Sequence, residues 1–422
     1  MNMRKVFIKK SVNDMNCRFC NTQLEYCFVS LGSSPLSNSY LTKEQLHGME
    51  IFYPLDVYVC DDCYLVQLEA FESPVNIFSH YAYFSSYSQT WIKHAKDYVD
   101  KMISTFGINN RSFVIEIASN DGYLLQYFIE KGIPVLGIEP AANVAEAARK
   151  KGIPTEVCFF GAETAIKLAK EGKCADLLLG NNVLAHVPDL NDFVRGLKIL
   201  LKPQGVITME FPHLMKLMEQ TQFDTIYHEH LSYFSFLTVE KIFSAHGLTV
   251  FDVEELPTHG GSLRIYACHK EDKTKRFSQR SLELKQREID AGYTSINHYL
   301  SFNEKVEALK RSLLKSLIQL KEDGKTIVGY GAPAKGNTLL NYCGIGTDFI
   351  DYTVDRNPHK QGHYLPGSRI PIEAPDKVKE TKPDYLFILP WNIKDEIMEQ
   401  MAFIKEWGGK FVVPIPEVVV LE

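Results

Sequence analysis

Short runs of consecutive apolar residues alternate with longer stretches of helical spacing through the middle of the chain. The runs are FVIEIA (113–118), IPVLGIEP (133–140), ADLLLG (175–180) and GVITMEFP (205–212), and between them apolar positions recur every three or four residues. Strand-length apolar runs separated by helical segments predict a parallel sheet joined by crossover helices. A second unit of this kind follows at TIVGYGAPAKGNTLL (326–340), DYTVDRNP (351–358), DYLFILPW (384–391) and KFVVPIPEVVVL (410–421), which predicts a smaller α/β domain. Residues 270–323, charge-rich with helical spacing, predict one long connecting helix. Ahead of the first unit, LEYCFVSLG (24–32) and FYPLDVYVC (52–60) have the pattern of strands, and residues 79–100 begin rich in Tyr and Ser before turning helical. The expected division is therefore 1–75, 76–270 and 271–422.

The 422 residues carry 46 basic and 52 acidic side chains, a net charge of −6. That balance argues against a chain whose main task is gripping nucleic acid or an anionic membrane surface. No apolar run approaches the roughly 18 residues that span a bilayer. The basic start MNMRKVFIKK lacks the apolar core of a signal peptide, so a cytoplasmic protein is expected.

Five of the nine cysteines fall within the first 63 residues, and four of these form two C-x2-C pairs, Cys17/Cys20 and Cys60/Cys63. A C-x2-C turn presents two thiolates to one tetrahedral ion, and a second turn completes a four-sulfur site. The segment between the pairs is longer than in most zinc ribbons, but its strand-like runs can return the chain to the first turn. A closed structural zinc site is expected; free cytosolic thiols are the alternative. Four sulfurs leave no open coordination position, so this metal holds structure. Cys27 is expected to be a small buried apolar residue.

The first strand of the central unit runs through Glu116 into Ala118-Ser-Asn-Asp-Gly122 and a helical stretch. A tight turn there aims backbone N–H groups and a helix start at a ligand. Only Gly122 is present, so the G-x-G-x-x-G loop of pyrophosphate-binding dehydrogenases is absent. Glu139 ends the next strand, where an acidic residue can accept both hydroxyls of an adenosine ribose; a solvated strand end is the alternative. A third strand ends at Gly180-Asn181-Asn182, with His186 shortly after. Together these pieces suggest S-adenosylmethionine, with Glu116, Ala118, Asn120, Asp121, Gly122, Glu139 and Asn181 as candidate contacts.

The whole chain resembles the sugar C-methyltransferases that act on nucleotide-linked keto-deoxysugars. The resemblance is carried by the two C-x2-C pairs, YFSSYSQTW (83–91), VIEIASNDGYLL (114–125), NNVLAHVPD (181–189), FDTIYHEHLSYFS (223–235), THGGSLRIY (258–266) and GYGAPAKGNTLL (329–340), in order along nearly the full length. It implies an N-terminal zinc module, a class I methyltransferase Rossmann-like domain that binds S-adenosylmethionine, and a C-terminal Rossmann-like domain. It places the family's catalytic Tyr, Glu and His on Tyr227, Glu229 and His230, and its active-site Asn and His on Asn182 and His186.

The segment Tyr227-His-Glu-His230 crowds a phenol, two imidazoles and a carboxylate into four residues. An extended backbone would point Glu229 away from His228 and His230. The spacing is not the H-E-x-x-H of zinc hydrolases, so a second metal or satisfied structural histidines are lesser readings. A carbon beside a carbonyl needs a base with pKa near 7, for which imidazole is suited, and a hydrogen-bond donor for the enolate oxygen. His230 is the expected base, Tyr227 or His186 the donor, and Glu229 the group that orients an imidazole or binds a sugar hydroxyl.

In the C-terminal unit, Gly329-x-Gly331-x4-Gly336 fits neither an NAD loop nor a Walker loop, but its glycines and Lys335 suit a diphosphate. By resemblance it holds the nucleotide-sugar, with Lys335 and Asn337 as contacts; a ligand-free duplicated domain is the alternative. His259 and Arg264 could line the same cleft, although Arg264 is equally suited to a structural ion pair. The expected reaction is C-methylation, at C-3, of a nucleotide-linked 4-keto-6-deoxysugar by a cytoplasmic enzyme with no nucleic-acid or membrane partner. The sequence is compatible with a monomer and does not fix the oligomeric state. The rivals are a sugar O- or N-methyltransferase, or a nonmethylating nucleotide-sugar oxidoreductase or binding protein.

Overall fold

The computed structural model describes residues 15–73, 85–87 and 89–422, with the side chains of residues 87 and 89 excluded. The 75/76 boundary and most of the Tyr/Ser-rich stretch expected at 79–88 lie outside the described residues. Three sheets carry the fold.

The first is a four-stranded antiparallel sheet of Tyr26–Ser34, Tyr53–Val59, Val66–Leu68 and Ser232–Tyr233. Its last strand arrives from far along the chain. Successive side chains of a strand face opposite ways, and here both faces are buried in different places. Val57, Val59 and Val66 join one apolar core, whereas Tyr58, Cys60 and Leu65 join another. Two knuckles close the sheet at one end. In each, the residue after the second cysteine adopts a left-handed conformation, Asn21 at φ 63° and Tyr64 at φ 63°. In each, that residue's N–H donates back to the carbonyl of the first cysteine. Cys17 and Cys63 Sγ are 3.5 Å apart, Cys20 and Cys60 Sγ 3.4 Å, and all four sulfurs lie within 4.8 Å of one another. Tetrahedral Zn–S bonds of about 2.3 Å set sulfurs about 3.8 Å apart, inside this range. Cys27 is half-buried and stands outside the cluster.

The second sheet has seven strands in the spatial order Leu248–Leu256, Ser262–His269, Leu201–Pro212, Ala175–Asn181, Val114–Ile117, Val135–Ile138 and Thr155–Glu156. All run parallel except Ser262–His269, second from one edge, which is antiparallel to both neighbours. Val114–Ile117 is buried on both faces, as expected for a central parallel strand flanked by helices.

The third sheet has six strands: Ile372–Glu373, Thr353–Val354, Ile327–Tyr330, Tyr385–Ile388, Lys410–Val413 and Val419–Leu421, the last antiparallel. The single connecting helix expected over 270–323 is instead three, Gln279–Asp290, Ile296–Leu300 and Phe302–Glu322. The break falls at Gly292, whose φ of 94° a helix cannot hold. It also turns Tyr293 and Tyr299 into the core. The long third helix buries Phe302, Val306, Leu309, Leu313 and Leu317 along one stripe, and Phe302 stacks on Phe28 of the first sheet at 4.7 Å. The first and third sheets thus share one apolar core. Among the described residues no helix is long and apolar enough to cross a membrane.

A module this small is short of core, and structural zinc can add an apparent ~10–16 kcal/mol. Elemental analysis should find one zinc per chain. Cys60→Ala should lose it and make residues 15–73 protease-sensitive. A fully folded, metal-free wild type would contradict this reading.

Candidate active site

A cavity of about 430 Å³ opens at the C-terminal ends of the central parallel strands. It sits where neighbouring strands Val135–Ile138 and Ala175–Asn181 depart on opposite sides of Val114–Ile117, the switch point at which such sheets bind ligands. The wall from the turn at 118–122 is built on unusual backbone. Ala118 has φ 55°, Asn120 φ 50° and Gly122 φ 75°. A Cβ on Gly122 would lie 2.1 Å from Ile153 Cδ1, so the turn both needs glycine's conformation and has no room for another residue.

Glu139 is no solvated strand end. It is 5% exposed, and its carboxylate accepts the Asn120 N–H at 2.9 Å and the Ala141 N–H at 2.8 Å. These bonds pin the carboxylate at the cavity with lone pairs to spare, while burial pushes its pKa up. Ala118, Asn120, Glu139 and Asn181 line the cavity, whereas Glu116, Asp121 and Gly122 stand behind it. Glu116 is fully buried, and burial drives its pKa far up. Asp121 is tied to Lys151 at 3.1 Å. The apolar half of the same space is made by Phe159, Phe160, Phe193, Trp91 and Tyr123. None of these five was a sequence candidate. Trp91 and Tyr123 lie in two of the stretches that carry the resemblance, and Trp91 stacks on His94 at 4.9 Å.

The Tyr227–His230 segment is a turn, not an extended strand, with the His230 N–H donating to the Tyr227 carbonyl at 2.9 Å. The turn brings the Tyr227 hydroxyl 2.8 Å from His230 Nε2 and sends the four side chains to different places. His230 Nδ1 lies 3.0 Å from the Thr225 carbonyl, which can only accept, so Nδ1 carries the hydrogen. Nε2 is then a lone pair, met by the phenol. Burial, with His186 beside it, holds the His230 pKa well below the ordinary imidazole value. His186 repeats the arrangement: its Nδ1 donates to the Glu229 carbonyl at 2.7 Å, and burial lowers its pKa to about 4. A neutral His186 with its hydrogen engaged there has no N–H left for an enolate oxygen, so the expected donor role does not fit it.

His228 turns away into the first sheet, donating to the Pro54 carbonyl at 3.1 Å between Tyr53 and Phe71. Among the described residues the four cysteines are the only group of three or more side chains placed to hold a metal, and His228 and His230 turn to different partners, the Pro54 carbonyl and the Tyr227 hydroxyl. Glu229 does not line the cavity, but its carboxylate accepts 2.7 Å from Asn38 Nδ2, and Asn38 does. Burial raises the Glu229 pKa to about 7. Asn182, at φ 55°, and His259, at φ 56°, face each other across 3.0 Å, and both line the cavity. Asn182 Oδ1 is buried and has no hydrogen-bond partner among the described residues.

The opposite wall comes from the C-terminal sheet. Lys335 opens the helix Ala334–Cys343, with Nζ 2.8 Å from Asn392 Oδ1 and 4.6 Å from the Trp391 ring centroid. Burial lowers its pKa, and the nearby Asp224 opposes that shift. Trp391 Nε1 in turn donates to Asp224 at 2.7 Å. Lys360, not foreseen from sequence, also lines the cavity and lies 5.3 Å from the Tyr40 ring centroid. Two expected contacts point elsewhere. Asn337 is buried and donates to the Ser37 carbonyl at 2.6 Å, tying the third sheet to the first module. Arg264, 3% exposed, is an ion-pair partner of Glu210 at 2.6 Å and Glu254 at 3.4 Å and does not line this cavity.

Three family models match successive stretches of the chain. Residues 17–78 match the family described as "Putative zinc binding domain", 91–253 "Methyltransferase domain" and 257–416 "C-methyltransferase C-terminal domain". The C-methyltransferase NovU of Streptomyces niveus is 37% identical over 404 residues, 95% of each chain. A ubiquinone biosynthesis O-methyltransferase of Bartonella bacilliformis is 30% identical over 95 residues, 22% of this chain and 38% of that one. The solved magnesium protoporphyrin IX methyltransferase of Synechocystis PCC 6803 with bound SAM is 14% identical, with a TM-score of 0.33, covering 42% of this chain and 79% of that one.

The cofactor is S-adenosylmethionine. The cavity suits it in having a pinned acid at the second strand end, an apolar aromatic half and a partnerless Asn182 oxygen. Glu139→Ala should weaken its binding, measured by calorimetry, by roughly 10- to 150-fold, the equivalent of about 1.5–3 kcal/mol for a hydrogen bond to a charged group. Zinc content should not change. Wild-type affinity in the variant would remove Glu139 from the site.

Proposed function

The chain belongs to the sugar C-methyltransferase family, and from that premise we propose that it methylates C-3 of a nucleotide-linked 4-keto-6-deoxysugar through an enolate. The observation that carries the proposal is the hydrogen-bonded Tyr227–His230 pair. It lies in one cavity with the turn at 118–122 on one side and two lysines of the third sheet on the other.

A C-3 hydrogen beside a C-4 ketone is acidic enough to be removed by a well-placed neutral base. His230 keeps its Nε2 lone pair toward the Tyr227 hydroxyl. The pair acts as a unit: the phenol oxygen takes the C-3 proton while the phenol hydrogen passes to Nε2, and the electron pair moves onto the sugar oxygen. Charge created inside a buried site makes fixed positive groups valuable. Lys335 and Lys360 supply these on the wall that faces the acceptor, and they suit its diphosphate. When bound, S-adenosylmethionine supplies an electrophilic methyl carbon. The residues of the 118–122 turn and Glu139 hold it beside the acceptor, where reacting atoms must come within about 3–3.5 Å. In this reading the chain divides at 1–75, 76–270 and 271–422 and works in the cytoplasm.

Proton removal should be separable from methyl transfer. With S-adenosylhomocysteine in place of the methyl donor and heavy water as solvent, the right keto-sugar should exchange its α-hydrogen faster than an enzyme-free control. His230→Ala should slow exchange and methylation together by ~10²–10⁴-fold, as loss of a general base does. Tyr227→Phe should do the same, and the double variant should be little worse than the poorer single one, because groups that act as a unit are not additive. An O- or N-methylated product would overturn the reaction class.

A further inference from the structure

Arg18 lies between the two cysteines of the first knuckle, and its side chain leads away from the metal site. Its guanidinium donates to the Leu231 carbonyl, to Ser232 Oγ at 3.2 Å and to the Leu68 carbonyl at 2.9 Å. Leu231 and Ser232 follow His230 directly. The Leu231 N–H donates to the Ala185 carbonyl at 2.7 Å, next to His186, and the Leu68 N–H donates to the Leu231 carbonyl at 3.0 Å. Arg18 is itself fixed on the sulfur side. Its N–H donates to Gln67 Oε1 at 2.9 Å, and Gln67 Nε2 donates to Cys17 Sγ at 3.2 Å. From the other flank, Asn191 Nδ2 donates to the Arg18 and Phe19 carbonyls at 3.3 and 2.9 Å. The path from knuckle sulfur toward the two imidazoles thus runs through hydrogen bonds to Leu231 and Ala185, the chain neighbours of His230 and His186. Among the described residues, no carboxylate pairs with Arg18 in an ion pair; all its side-chain partners are carbonyls and a hydroxyl.

We propose that Arg18 is a positioning residue for methyl transfer: through its guanidinium the zinc knuckle holds the turn of His230 and the loop of His186 in register. The inference rests on the reading of His230 as part of the base. A planar fork of donors can bridge three acceptors in fixed directions, which an ammonium on a flexible stem does not do. Near-attack geometry tolerates little movement, and a shift of about 1 Å can cost ~10²-fold in rate. The competing role is stabilisation of the module alone, and the two roles predict different measurements.

Arg18→Ala and Arg18→Lys are compared with wild type in the zinc-loaded full chain. Zinc content, affinity for S-adenosylhomocysteine by calorimetry, and kcat and KM for methyl transfer are measured. The expected result is unchanged zinc and S-adenosylhomocysteine affinity, a little-changed KM for the acceptor, and kcat lower by ~10²-fold in Arg18→Ala. Added ethylguanidinium should restore part of that kcat, and ethylammonium should not. A wild-type kcat in Arg18→Ala overturns the proposal. So does loss of zinc alongside activity in both variants, which would make Arg18 a stabiliser only. Because the readout is methyl transfer itself, an O-methylated product would overturn the reaction class while the Arg18 result still stands or falls on its own numbers.

Discussion

The peptide at Leu231 is the joint of the molecule. Its N–H is spent on the Ala185 carbonyl, and its carbonyl is shared between the Leu68 N–H and Arg18. A buried peptide group must find partners, and those it finds here belong to different layers of the protein. The N–H fastens the Tyr227–His230 turn to the central sheet, beside His186. The carbonyl fastens it to the zinc module, whose sheet then continues through Ser232–Tyr233. A four-residue turn crowded with functional side chains cannot stiffen itself. It is held from behind, and this frees Tyr227 and His230 to face the cavity.

The cavity draws its chemistry from burial. His186, His230 and His259 are all held neutral by desolvation, and Asp224 and Glu229 are raised to about 6 and about 7 by the same cause. Neutral imidazoles whose Nδ1 hydrogens are engaged by carbonyls present lone pairs at Nε2, which suits proton removal. The strain gathers in the same place. Ala118, Asn120, Asn182 and His259 all line the cavity in left-handed backbone, where residues with a Cβ are disfavoured. Such residues persist only where surrounding structure over-determines them, and they mark functional walls.

What the sequence revealed and what it hid divide along range. The knuckles, the central strands and the turn at 118–122 are local features, and their spacing announced them. The YHEH cluster is visible as crowding, but its turn is not, because the local bonds to Tyr227 and Thr225 are joined by partners far along the chain, Pro54 for His228 and Ala185 for the Leu231 N–H. Ser232–Tyr233 is too short to show a period. Gly292 broke a helix whose charge pattern runs straight through it. Lys360, Asn38 and Trp91 reach the cavity only after three separate segments fold together. Arg264 and Asn337 had the right chemistry and the wrong surroundings. Arg264 is claimed by Glu210 and Glu254, and Asn337 by a carbonyl of the zinc module.

The apolar cores also tie the zinc module to the walls of the cavity. The strand at 53–59 puts Leu55, Val57 and Val59 into the core shared with the third sheet, while Tyr58, with Cys60 and Leu65 of the adjoining knuckle, enters the core shared with the central sheet. The segment around Tyr227–His230 straddles the same pair: Phe223, Ile226 and Tyr233 are buried in the first, Phe234 and Phe236 in the second. By sequence it belongs to the central domain; by packing it belongs to both. The cofactor wall rests on one core and the lysine wall on the other, so the distance between them is set by whatever holds the two cores at fixed separation. The small sheet does that, and with few residues to bury it relies on four sulfurs to keep its own shape.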